Sequence, residues 1–121
     1  MNSSAFFIMM ECMSEKFILT LNNQIIYTYN KMRIPGLLLR FLEQMDRDMD
    51  VGIQLGEYWV QQADEETKIR VVAMMLFNAI EQHDTNQMNV MSAYLLNRNE
   101  TLVEIKVNQQ DDCFNLQIIN T

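Results

Sequence analysis

Hydrophobic and polar positions repeat with two different periods along this chain, and the period changes twice. Phe17-Ile18-Leu19-Thr20-Leu21 and Gln24-Ile25-Ile26-Tyr27-Thr28-Tyr29 are short β-type runs separated by Asn22-Asn23. Asparagine tolerates positive φ, so the two runs predict a tight hairpin. Phe17, Leu19 and Leu21 would share one strand face. Tyr27 and Tyr29 share a face of the second strand, and Ile26 on the opposite face also needs cover.

The period then becomes helical. Pro35 suits a first helical turn, where its missing N–H is not needed. Leu38, Phe41, Leu42, Met45 and Met49 follow at helical spacing. This helix either continues through Gly52 and Gly56 to Tyr58-Trp59-Val60 or breaks there, since each interior glycine costs about 1 kcal/mol relative to alanine. The clearest helix begins at Asp64, an N-cap with Glu65 and Glu66 in the positive first turn, and carries the stripe Ile69, Val72, Ala73, Leu76 and Ile80. Asp84 or Thr85 caps a third helix with Met88, Met91, Tyr94 and Leu95 as its apolar stripe. The short junction at His83 predicts that the second and third helices pack antiparallel. Period two then returns. Val103, Ile105 and Val107 share one face, the segment from Asn108 to Asp112 turns, and Phe114, Leu116 and Ile118 share a face of the last strand.

The expected fold class is therefore α+β: two β-hairpins, N- and C-terminal, forming an antiparallel sheet with about three central helices packed on it. The strand signal begins near Met13, so residues 13–121 are expected to form a single domain. Residues 1–12 are expected to be a dispensable extension, disordered or adding an edge strand at Phe6–Met10. The apolar run Ala5–Met10 is too short for a signal-peptide core or a membrane span.

Composition narrows the function classes. The chain of 121 residues has 16 acidic and nine basic side chains, a net charge of -7. The lysines and arginines are scattered singly, which argues against nucleic-acid binding, because phosphate neutralisation needs a basic patch. An acidic surface also suits anionic membranes poorly. With three glycines, neither a Walker loop nor a G-x-G-x-x-G turn can be built. Cys12 and Cys113 lie far apart with no metal-ligand spacing, and read as reduced thiols of a cytoplasmic protein. His83 is the single histidine. It could act as a general base, but no companion nucleophile stands at a readable spacing, and a helix-end role accounts for it. Neither an enzyme nor a cofactor is expected.

Two features point towards binding. Residues 46–57 resemble the calcium loop of an EF-hand, with Asp46, Asp48, Asp50 and Glu57 at loop positions 1, 3, 5 and 12. That loop needs glycine at position 6, where this chain has Val51, and Gly52 comes one residue late. The amphipathic aromatics Tyr27, Tyr29, Tyr58 and Trp59, with the adaptable Met88 and Met91, suit a protein partner. The expectation is a small acidic module that binds another protein and forms a homodimer through helix or hairpin surfaces. Secretion chaperones are similar in size, acidity and α+β mixture. That resemblance, or a toxin-immunity role, would imply masking of a basic partner.

Overall fold

A computed structural model describes residues 16–30, 36–55 and 57–121. The expected extension at residues 1–12, Pro35 and Gly56 lie outside the described residues. The chain runs β1 (Lys16–Leu21), β2 (Gln24–Asn30), α1 (Gly36–Val51), β3 (Ile53–Leu55), β4 (Tyr58–Val60), α2 (Glu65–Glu81), α3 (Thr85–Arg98), β5 (Leu102–Gln110) and β6 (Cys113–Asn120). The fold is α+β with three helices, a four-stranded sheet in the order β2-β1-β5-β6 and a separate two-stranded β3–β4 ribbon.

Both expected hairpins form. Asn22 and Asn23 adopt φ of 50° and 69° and turn β1 into β2, and Asp111 at φ 56° turns β5 into β6. The all-antiparallel sheet is corrected, because β1 and β5 run parallel, with Ile18 opposite Glu104 and Leu21 opposite Val107. A hairpin turn enforces antiparallel pairing, whereas a long helical crossover allows parallel pairing. Here the connection leaves β2 beside the start of β1, where Lys16 pairs with Asn30. It returns β5 from that same end.

Burial matches this order. β1 lies between two neighbours and buries Phe17, Leu19 and Thr20, while β2 takes the edge and leaves Ile25 and Ile26 exposed. Phe17, Leu19, Leu102, Ile105 and Val107 of the two central strands are all buried. They meet Val72, Ala73, Leu76 and Phe77 of α2 and Met91, Tyr94, Leu95 and Leu96 of α3 in one cluster.

Two register shifts modify the expected faces. Leu19 pairs with Tyr27 but Thr20 pairs with Ile25, so Ile26 is an extra residue in β2. Ile25 and Ile26 both remain exposed. In β5 the shift falls between Leu102 and Glu104. Val103 becomes the extra residue, and Leu102 rather than Val103 turns into the core with Ile105 and Val107.

The helices start and stop as their caps dictate. Asp64 and Asp84 accept hydrogen bonds from the backbone N–H of Thr67 and Gln87, at 2.8 and 3.2 Å. At the end of α2, His83 takes φ 57°. Its N–H donates to Ile80 O, and the Asp84 N–H donates to Ala79 O. This paired pattern closes a helix whose next residue is left-handed. α1 stops at Val51, and the chain reverses through β3–β4 rather than continuing as helix. The ribbon returns to the helix end, where the Gln62 N–H donates to Asp50 O at 3.0 Å.

Candidate functional site

α1 is attached to the body by little apolar burial. It has one fully buried residue, Leu42, where α2 has five and α3 six. Leu38, Met45 and Met49 pack beside Leu42 on the inward face. A polar interlock supplements this contact. Asp46 Oδ1 accepts from the Tyr94 hydroxyl at 2.5 Å, and its Oδ2 accepts from Arg98 Nε and Nη2 at 3.0 and 2.7 Å. The Arg98 guanidinium also lies 5.3 Å from the centre of the Tyr94 ring and donates to Asn97 Oδ1. One turn further on, Asp50 pairs with Lys68 of α2 at 2.5 Å.

Partial burial works against ionisation of Asp46. The hydrogen bonds from Tyr94 and Arg98, with the charges of Arg98 and Lys68, overcome it and hold Asp46 below the usual aspartate range. The Tyr94 hydroxyl is pushed well above the usual tyrosine value, first by burial and then by donating to the Asp46 carboxylate.

The opposite face of α1 is apolar at both ends. Leu37 is 79% exposed, Phe41 50% and Val51 70%. These positions fall on one side of the helix at i, i+4 and i+14, with Gln44 and Asp48 between them joined by a 2.8 Å hydrogen bond. The β3–β4 ribbon that follows α1 carries the exposed Tyr58 and Trp59. The Trp59 indole lies against Gly52, where a Cβ would fall inside the ring at Cζ2, Cε2 and Nε1. Glycine at this position therefore provides space for the indole, which is not the turn role that a calcium loop asks of it.

The residues expected to meet a partner divide into two groups. Tyr58 and Trp59 are on the surface. Tyr29 and Met91 are in the core, Met88 packs against it, and the half-buried Tyr27 shares a 2.8 Å hydrogen bond with the buried Ser92. The alternation that placed Tyr27 and Tyr29 on one face was sound, but that face is the one covered by helices. The exposed Leu37, Phe41 and Val51 were missed. Phe41 shares helical spacing with Leu38 and Met45, and only the full α1 register separates the two faces.

The acids of the calcium-loop expectation do not converge. Asp46, Asp48 and Asp50 lie within helix α1, Glu57 lies in the β3–β4 turn, and Asp46 and Asp50 are held by Arg98 and Lys68. Among the described residues, no three of His, Cys, Asp or Glu form a group that could hold a metal ion. His83 occupies the α2–α3 junction, and Cys113 is an exposed free thiol at the start of β6.

A shallow cleft of about 390 Å³ lies where the start of α2 and the end of α3 approach β6, with Ile69, Arg70, Arg98 and Ile118 in its lining. Among the described residues, no helix is long and apolar enough to cross a membrane. Comparison with protein-family models, with curated proteins and with solved structures returns no match.

Proposed function

We propose that this protein is a small non-enzymatic module that binds another protein through the outward face of α1 and the β3–β4 ribbon. One observation carries the reading. Leu37, Phe41, Val51, Tyr58 and Trp59, all within residues 36–60, are exposed large apolar side chains. Exposed apolar surface rimmed by polar groups marks interaction sites, and each such side chain buried on docking contributes ~1.5–3 kcal/mol. Exposed Glu43, Asp48 and Glu57 stand on the same segment as exposed Arg40 and Arg47, so the partner best matched to it presents apolar residues within a rim of mixed charge. The net charge of -7 supports the second reading, a chaperone or immunity protein that masks a basic partner. We assign the module to the cytoplasm, consistent with the exposed free thiol of Cys113.

The test is affinity capture from the native cell with the wild-type chain and with the Leu37→Asp/Phe41→Asp/Tyr58→Ser variant. These side chains are exposed, so the variant should keep its circular dichroism spectrum. A partner recovered stoichiometrically by the wild type and lost by the folded variant is the expected result. A partner retained by the variant would refute this surface. A basic partner whose toxicity or aggregation is suppressed on binding would select the masking role.

A further inference from the structure

The free edge of the sheet at β6 leads beyond the α1 surface. In the parallel β1–β5 ladder, the Asn22 N–H donates to Val107 O at 2.9 Å, so the backbone of Val107 faces β1. Val107 is opposite Leu116. The backbone groups of Leu116 must then point away from β5, as must those of Phe114 and Ile118 by alternation. A side chain confirms the direction: Arg70 of α2 reaches over the edge and donates from Nη1 to Leu116 O at 3.1 Å. Among the described residues, the outward groups of Phe114 and Ile118 have no partner.

Natural edge strands are commonly blocked by charges, proline or a bulge. The other edge, β2, is interrupted at Ile26. β6 has no such device in its own sequence: Cys113–Asn120 contains no charged residue and no proline, and the extra residue of its hairpin lies on β5 at Val103. The charged group over this edge, Arg70, comes from α2 and occupies Leu116 O alone.

We propose that two copies of this chain pair through β6, antiparallel across a two-fold axis, to form one continuous eight-stranded sheet. An antiparallel edge is complementary to itself, since each outward N–H meets the outward C=O of the same strand in the second copy. Elsewhere the net charge of -7 opposes self-association. β6 itself is uncharged, so its two backbones approach without like charges on the strands, and the Arg70 guanidinium yields or shares Leu116 O with the N–H of the facing strand. The axis passes through Ile118. Centring on Phe114 would draw the Asp111-Asp112 turn against the second strand, whereas Ile118 is the outward-facing residue furthest from that turn that still has β6 on both sides of it. Pairing there exchanges the two Ile118 hydrogen bonds and sets Leu116 opposite Asn120. The cleft lined by Ile69 and Ile118, with Glu65, Glu66, Arg70 and Arg98, lies along this same edge. The bulged β2 edge offers no equivalent surface, so the association closes as a dimer instead of growing into a fibre.

Sedimentation equilibrium of the whole chain tests this. The wild type is expected to be a dimer. Ile118→Pro removes only an outward N–H, leaves the β5–β6 ladder intact, and is expected to weaken the dimer about tenfold or more. Gln117→Glu, which faces Lys106 within its own chain and brings two like charges together near the axis, is expected to do the same if the proline variant fails to fold. A wild type that is monomeric throughout, or a dimer that persists in a folded Ile118→Pro or Gln117→Glu variant, would overturn the proposal. The Leu37→Asp/Phe41→Asp/Tyr58→Ser variant should remain dimeric. If it alone dissociates, the α1 surface is the self-interface and β6 is not.

Discussion

Replacing Asp46 by asparagine tests the attachment of α1 most directly. Asparagine keeps the shape but offers one acceptor and one NH2 group where Tyr94 and Arg98 present three donors. Hydrogen bonds to a charged group are worth ~1.5–3 kcal/mol each when well shielded. The Arg98 and Asp46 side chains are 22% and 27% exposed, so solvent screening takes part of that away. A net loss of about 2–3 kcal/mol at pH 7 follows. At ~2.1 cal/mol/K per residue the whole chain has an unfolding entropy of about 0.25 kcal/mol/K, so the melting temperature should fall by about 10 °C.

The pH dependence has a defined sign. The folded pKa of Asp46 is lowered, so its stabilisation is fully present above the unfolded value of ~4 and is lost as pH falls through the folded value. The difference between wild type and Asp46→Asn should therefore narrow in acid. Asp64, lowered by the Thr67 N–H bond to its carboxylate, titrates in both proteins and cancels in the comparison. Tyr94 gives the opposite arm. Its folded pKa is raised, so its contribution is complete below ~10 and declines as pH rises beyond that. Thermal melts at about pH 3, 7 and 11, followed by circular dichroism and by Trp59 emission, measure both arms. A loss at pH 7 below about 0.5 kcal/mol, the size expected of an exposed pair, would refute the interlock. An equal loss at pH 3 would do so as well.

Two further substitutions test local geometry. Gly52→Ala should expel the Trp59 indole from its seat, shifting tryptophan emission and loosening β3–β4 while the α2–α3 signal is kept. An unchanged emission spectrum would show that the indole does not depend on this glycine. His83→Gly should raise stability by about 0.5–1 kcal/mol, because His83 holds a left-handed conformation that glycine adopts without strain. Denaturant melts decide this, and any decrease would show that the imidazole makes a contact that offsets the backbone gain.

Local signals in the chain specify local structure well. Asn22-Asn23 set the first hairpin, and Asp64 and Asp84 begin two helices where they cap them. The stripe from Ile69 to Ile80 contains Val72, Ala73 and Leu76, all buried. Non-local choices were less legible. Each hairpin is fixed by its own turn, but nothing within either turn states whether β1 or β2 will meet β5. Both strands carry consecutive apolar residues, Phe17-Ile18-Leu19 in β1 and Ile25-Ile26-Tyr27 in β2, so their composition gives them equal standing. The two bulges were also hidden, because inserting one residue at Ile26 or Val103 leaves the composition of a strand unchanged while reversing which side chains face inward. The resemblance of residues 46–57 to a calcium loop failed for a related reason. Acids at alternate positions suit a loop, but Asp46 and Asp50 are also i and i+4 on a helix, where they reach α3 and α2.

This division of labour within α1 bears on how such a small chain could carry two interfaces. The central strands and the α2–α3 pair hold nearly all of the buried core, so they fix the sheet and the β6 edge whether or not α1 is docked. α1 contributes Leu42 to that core and then relies on Asp46 and Asp50, whose partners are positively charged side chains rather than packed apolar surface. A helix held in this way keeps its orientation while leaving its second face uncovered, and its docked state draws further stability from any partner that buries Leu37, Phe41 and Trp59. The β6 edge depends on backbone groups fixed by β5 and needs no such reinforcement. The two proposed interfaces therefore rest on different parts of the chain, and a substitution that loosens α1 should weaken partner capture while leaving pairing at Ile118 intact.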